Sequence, residues 1–475
     1  MTKTKTYKIV SILLLVAVSF SVSACTKGGD GNAQKAYKKE TLVWWNLWDN
    51  SADVQGLIAA YKQLHPNVRI DYHKLRYDEY EQELVEALAE DRGPDVFTMQ
   101  NTWVKRYMTK LLPAPDKVVT PIKYIKGSIK KEEIVEFRTT KLPTPAEVRK
   151  KYLDAVSLDT VVVNDTSNKK SEQIERVWGL PMSMDSLVMY YNKDILNNAG
   201  IVEPASNWND FQEHVKRITQ ISKDSGQILL SGTAMGTADN VERNFDILSL
   251  LMMQNLTPMT NAYGQATFTE KPEGVTGVSA PPAIGAVEYY TQFASPLHEV
   301  YTWNKQMPNS IDAFIDGKVA YVFGYAHHRE RIRAEAPQLD FNVAPVPQVG
   351  DNQRVNYASY WVQGVSKKTE IKDYAWDFVN FITSEKNVVE YLNETQQTTA
   401  LRSTKLINEH LANELLSAKA DQLLTAKSWY RGESPIAAEG IFNSMINYIL
   451  EGTLEIDEAI ENAASQINYS IKKKL

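Results

Sequence analysis

Hydrophobic positions along the chain switch repeatedly between a two-residue and a 3.6-residue period. Thr41-Leu42-Val43-Trp44-Trp45 reads as a buried strand, with Trp44 on the core side by alternation. Residues 54–64 carry apolar side chains at 54, 57, 58, 61 and 64, a helix face that Pro66 stops. Val68-Arg69-Ile70-Asp71-Tyr72 alternates as a strand does. Residues 80–88 return to helical spacing, Gly93-Pro94 punctuates, and Asp95-Val96-Phe97-Thr98-Met99 is a third strand. This β-α-β-α-β order predicts an α/β lobe with a largely parallel sheet, whose ligands bind beyond the strand carboxyl ends.

Residues 113–175 break the pattern. Lys, Glu and Pro are dense there, and Thr144-Pro145-Ala146-Glu147 reads as a capping box opening a helix through Val156. This stretch is expected to be an inserted helical subdomain or long loop. A helix-rich region follows from Asn207, a good N-cap for Trp208-Asn209-Asp210-Phe211. Short strands are expected at 318–323 and 341–344, and an amphipathic helix at 373–382 with Tyr374, Phe378 and Phe381 on one face. No internal period of 20 to 50 residues marks a repeat architecture.

The amino terminus changes the picture. Lys3, Lys5 and Lys8 precede an apolar run at 9–20, too short to span a bilayer and the length of a signal-peptide core. Val22-Ser23-Ala24-Cys25 resembles the bacterial lipobox, which implies cleavage after residue 24 and a diacylglycerol on Cys25, the single cysteine of the chain. An uncleaved anchor helix is the alternative. Residues 25–39, with Gly28, Gly29 and Gly31, read as a flexible tether. The folded part is therefore expected outside a bacterial cell, lipid-anchored to the membrane surface, or on the periplasmic side if there is an outer membrane.

At 475 residues the chain is too long for one core, and its 43% hydrophobic and 23% charged content is that of a globular protein. The net charge is −6, and loss of Lys3, Lys5 and Lys8 with a cleaved leader deepens it by three. An acidic chain without a long basic run is a poor match for a phosphate backbone, so no nucleic-acid partner is expected. The 24 Tyr, 13 Phe and 10 Trp suit either packing or the stacking of flat, amphipathic ligands.

An ordered series of short blocks carries a family resemblance. Pro181-Met182-Ser183, then Val188-Met189-Tyr190-Tyr191-Asn192, then Leu196 and Asn198 resemble the signature of the family 1 extracellular solute-binding proteins, the maltose-binding-protein-like sugar receptors of ABC importers. Gly93-Pro94-Asp95-Val96-Phe97, Asn192-Lys193-Asp194, Trp208-Asn209-Asp210-Phe211, residues 314–320, Pro345-Val346-Pro347 and residues 375–379 follow in family order. The match spans most of 40–403, with 113–175 the main departure.

The resemblance implies a periplasmic-binding-protein-like α/β fold, with two lobes joined by crossing hinge strands around a ligand cleft. The lobes are expected at 40–189 plus 318–364 and at 190–317 plus 365–475, with Tyr190 to Lys193 at the first crossing. It implies Tyr191 as a cleft residue, since the family often places a lining tyrosine directly before this Asn-Lys pair. Trp45 and Trp48 border the loop after the first strand. Gln100, Asn101 and Trp103 follow the third, at a common family position for sugar contacts. Tyr325 follows the 318–323 strand, Tyr360 and Trp361 lie near the final crossing, and Arg402, Trp429 and Tyr430 complete the candidates. Each is weighed against simple packing, and Arg402 against a structural ion pair.

Enzyme motifs are missing from the sequence: no Gly-x-Ser-x-Gly elbow, His-Glu-x-x-His, Walker loop or dinucleotide glycine fingerprint. His327-His328 with Glu330 is the densest group of metal-type ligands, and adjacent histidines diverge, so a solvated surface is the expectation. The reading is a monomeric, non-enzymatic receptor without metal or cofactor that takes a carbohydrate, an oligosaccharide above all, to ABC permease subunits and touches the membrane through its lipid alone. A surface-anchored carbohydrate hydrolase, or a receptor for peptides or polyamines, are the alternatives.

Overall fold

The computed structural model describes residues 30–129, 131–164, 174–261, 264–277, 279–350 and 353–472. Cys25 and the apolar run at 9–20 lie outside the described residues. Within the described residues no helix is long and apolar enough to cross a membrane.

The sequence builds two five-stranded sheets. The first runs in the order Val68–Lys74, Glu40–Asn46, Val96–Gln100, Trp361–Val365, Leu180–Pro181. Its first three strands are parallel and Trp361–Val365 runs antiparallel to them. Trp44 is fully buried here, as its alternation predicts, and its indole donates to Gln363 at 2.9 Å. Helix Ser51–Leu64 packs below, its start held by the Asp53 carboxylate accepting the Asn50 N–H at 2.6 Å. The second sheet runs Gln220–Ile221, Ile228–Thr233, Val319–Gly324, Val188–Asn192, Phe341–Ala344. Each sheet sits in its own hydrophobic core.

The division between cores differs from the expected one. Buried residues 42–184 and 358–426 share the first core, while 187–357 and 429–467 supply the second. Strand Val319–Gly324, expected in the first lobe, pairs parallel with Ile228–Thr233 of the second. Helices Lys372–Ile382 and Glu385–Thr395, expected in the second, bury Trp376, Phe378 and Tyr391 in the first. An alternating pattern says that a segment is a strand and not which sheet it joins.

The chain crosses between cores three times, and the crossings pair with one another. Ala426–Lys427, Asn356–Ser359 and Asp185–Ser186 form a three-stranded sheet in that order. The expected first crossing at Tyr190 to Lys193 is thereby corrected: Tyr190 and Tyr191 lie inside the second sheet, between Val319–Gly324 and Phe341–Ala344.

The 113–175 stretch is not mainly helical. Two ten-residue strands, Lys117–Lys126 and Glu132–Lys141, form a two-stranded sheet of their own. The capping box at Thr144 forms, with Thr144 N–H donating to Glu147 at 2.8 Å, but its helix stops at Lys151 and a second runs Asp154–Thr160. Residues 30–38 and 121–138 make one compact unit, and 39–120 with 139–472 make the other. Within the stretch read as a tether, Gly31–Ala36 is helical.

Candidate functional site

The parallel strands of the first sheet end on one edge, and each delivers an aromatic side chain there. Trp48 follows Glu40–Asn46, Tyr77 follows Val68–Lys74, and Trp103 follows Val96–Gln100. The antiparallel strand starts at the same edge, with Trp361 opposite Gln100. The rings meet. Trp48 stacks on Tyr77 at 5.4 Å, Trp361 stands edge-on to Trp48 at 5.8 Å, and Trp103 is edge-on to Trp361 at 5.7 Å. The Trp48 indole N–H is buried without an acceptor among the described residues, a donor free for a ligand oxygen.

The opposing wall comes from the second core. Arg243 takes a left-handed backbone conformation (φ 59°) just before helix Asn244–Gln254, and its guanidinium pairs with buried Asp246 at 2.8 Å. Tyr325 donates its hydroxyl to the same carboxylate at 2.7 Å. His327, on helix Ala326–Glu335, stacks on Trp48 across the gap. A small enclosed pocket lies between the walls, lined by Gln100, Asn101 and Thr102 on one side and by Arg243, Asp246 and Glu439 on the other.

Electrostatics mark this region as concave. Tyr77 leaves 51% of its surface open, yet burial first, then the carboxylates of Glu439, Asp246 and Glu242, push its hydroxyl up against the opposing pull of Arg243. His327 is likewise open to solvent on one side, yet burial, His328 and Arg243 drive its imidazole down to about 3. A side chain both accessible and desolvated lines a cleft rather than a convex surface. Burial raises the Glu439 carboxyl, with Arg243 opposing. Stacked rings beside a fixed Arg–Asp pair can cover a flat apolar face and bind a polar rim.

The structure sorts the expected site residues. Trp48, Gln100, Trp103, Trp361 and Tyr325 gather at the cleft. Trp45 packs half-buried against the first core. Asn101 borders the pocket, but its amide is committed to Asp159 at 2.9 Å. Tyr360 is buried, its hydroxyl on Asp159 at 2.7 Å, so it belongs to the hinge region rather than the cleft.

Four expectations need stronger correction. Tyr191 pairs with Tyr321 and Asn342, three residues inward from the cleft edge, among Glu203, Lys193 and Asp340. Trp429 is core: it packs against Phe245, Phe268 and Phe442 and donates to Ser249 at 2.9 Å. Tyr430 is buried beside it and accepts the Ser434 N–H, although part of it borders the pocket. Arg402 is an exposed residue paired with Asp154.

His327 and His328 are not a solvated surface pair either. His328 is buried and its Nδ1 accepts the Tyr325 N–H at 2.9 Å. Tyr77, Arg243, Asp246 and Glu439 are not among the expected cleft residues, and His327 is expected on a solvated surface instead. The strand-end rule, applied to Val68–Lys74, reaches Tyr77. The others follow long loops or start helices, where sequence carries no such signal.

Residues 48–389 match the family of bacterial extracellular solute-binding proteins, and the chain belongs to that family. Its members are binding proteins, and this chain is not an enzyme. It is 21% identical over 479 residues to the galactooligosaccharide-binding protein of Bacillus subtilis (strain 168), covering 97% of each chain. Its fold is similar to the cyclic alpha-maltosyl-1,6-maltose binding protein from Arthrobacter globiformis, with a TM-score of 0.68, 16% identity and coverage of 91% and 99%. The sugar-binding protein MalE from Xanthomonas citri superposes with a TM-score of 0.65 at 16% identity, covering 91% of this chain and 97% of that one.

Proposed function

We propose that the protein is a lipid-anchored extracellular receptor that captures an oligosaccharide in this cleft and delivers it to an ABC import permease. The observation that carries the reading is the belt of Trp48, Tyr77, Trp103 and Trp361 facing Arg243, Asp246 and Glu439. A pyranose offers a flat C–H face for such rings and hydroxyl groups for the charged wall. The names of the relatives, which bind galacto-oligosaccharides and maltodextrins, point to the same ligand class. Cys25 is the proposed lipid attachment, and the working form is a monomer.

Isothermal titration with galacto-oligosaccharides, maltodextrins, short peptides and polyamines tests the reading. Saturable binding of a di- to tetrasaccharide, with the sugar recovered unchanged, is expected. Binding confined to peptides or polyamines would overturn it, and recovery of shortened sugar would favour the hydrolase alternative.

A further inference from the structure

The unit formed by residues 30–38 and 121–138 has its own surface chemistry. Helix Gly31–Ala36 is tied to the Lys117–Lys126/Glu132–Lys141 hairpin by Asp30 N–H donating to Val135 at 3.1 Å. Tyr37 lies within the field of Lys123 and Glu133, which pair at 2.8 Å. Toward the tip the hairpin exposes apolar side chains: Ile125 is 63% and Ile129 99% accessible, and Tyr124 is also exposed. Lys126 and Lys131 flank them in the open, and residues 124–131 contain no acid. A surface that is apolar and basic together suits the interface of an anionic bilayer better than water.

We infer that this hairpin tip is a second, non-covalent membrane contact, inserting Ile125 and Ile129 at the headgroup level with Lys126 and Lys131 on anionic phosphates. The inference rests on the proposed lipid at Cys25. Asp30 lies five residues past Cys25, a reach of at most about 18 Å. Ile129 lies six residues before Val135, at most about 22 Å along the chain. The anchor therefore holds the tip within range of the bilayer surface, so the second contact forms at high effective concentration.

The test uses the whole mature protein purified from cells and reconstituted in vesicles, with Ser128→Cys carrying an environment-sensitive dye. Mass spectrometry is read first. A protein lacking the diacylglycerol on Cys25 overturns the anchor, and the inference with it. In the lipidated protein, the dye is expected to shift to the blue in phosphatidylglycerol vesicles and to lose most of its quenching by aqueous iodide. Neutral phosphatidylcholine vesicles should give a smaller response. Lys126→Glu with Lys131→Glu should abolish the difference while the protein still sediments with the vesicles. An identical, fully quenched signal in both vesicle types overturns the hairpin contact and leaves the anchor standing. A shift that requires co-reconstituted permease overturns it in favour of a protein partner.

Discussion

The imidazole of His327 lies nearly parallel to the indole of Trp48, with centroids 5.0 Å apart and planes inclined by 23°. Trp48 packs on the first core and His327 rides on helix Ala326–Glu335 of the second. The stack is therefore a contact across the cleft, present only when the two walls approach. Trp48→Ala removes it together with the centre of the aromatic belt. Carbohydrate affinity is expected to fall by roughly 1–3 kcal/mol, about five- to 150-fold, with little change in melting temperature. Titration calorimetry beside thermal unfolding checks this, and a large loss of stability with affinity intact would place Trp48 in the core instead.

The same stack predicts a pH dependence. Burial, His328 and Arg243 hold the His327 pKa down to about 3, so the packed state requires the neutral ring. A folded pKa below the free value favours the closed form fully above pH ~6.5 and progressively less as pH falls toward 3. Affinity should weaken between pH 7 and 5, and His327→Gln should flatten that part of the profile. A wild-type curve already flat over this range would contradict the assignment.

How much was legible follows from where each residue sits on its element. Trp48 and Trp103 follow parallel strands, which send their carboxyl ends to one edge, and sequence marks where a strand stops. Trp361 instead starts the antiparallel strand and is reached through its place near the final crossing. Tyr191 was misplaced because a sequence block does not show which end of its strand meets the cleft. That strand starts at the cleft, so Val188 faces Gly324 and Tyr191 is already inside. Trp429 and Tyr430 read equally well as platform or core. Only the rings of Phe245, Phe268 and Phe442 around Trp429 decide. Arg243 and Asp246 depend on a left-handed turn before a helix, which no periodicity announces.

These placements separate stability from binding. Trp429→Ala should destabilise the fold by about 3–5 kcal/mol, as for a large aromatic removed from a packed interior. Tyr191→Ala and Arg402→Ala should leave carbohydrate affinity within about twofold. The exposed Arg402–Asp154 pair should contribute less than about 1 kcal/mol to folding. Denaturant melts and titrations of the three variants decide. A tenfold affinity loss in Tyr191→Ala would return that ring to the cleft.

Asp49 gives stability its own pH term. It is buried, and burial raises its carboxyl to about 6 against the pull of hydrogen bonds from Tyr391 and Asn46. A folded pKa above the free value makes the contribution complete below pH ~4 and lost as pH rises through about 6. The size is on the order of 2–3 kcal/mol. Asp49→Asn should remove this slope, read as urea midpoints at pH 4, 5, 6 and 7. A wild-type slope unchanged in the variant would assign it to another group.

Two of the three crossings are held at one buried carboxylate. Asp159, on helix Asp154–Thr160 of the first core, accepts from Asn101 at 2.9 Å, Tyr360 at 2.7 Å and Ser428 at 2.6 Å, and pairs with Arg431 at 3.1 Å. Tyr360 follows the crossing strand Asn356–Ser359, Ser428 follows Ala426–Lys427, and Asn101 stands at the cleft edge. One side chain thus ties two hinge strands to the edge of the cleft. Asp159→Ala leaves three donors and a guanidinium without their acceptor and should cost about 3–5 kcal/mol of stability. Asp159→Asn keeps the shape and one oxygen, so its folding cost should be nearer 1–2 kcal/mol. The informative readout is closure. With saturating ligand, small-angle scattering of Asp159→Asn should give a radius of gyration between those of the free and liganded wild type, with affinity reduced several-fold. If the variant closes and binds like wild type while losing stability, the network holds the fold and does not set the hinge.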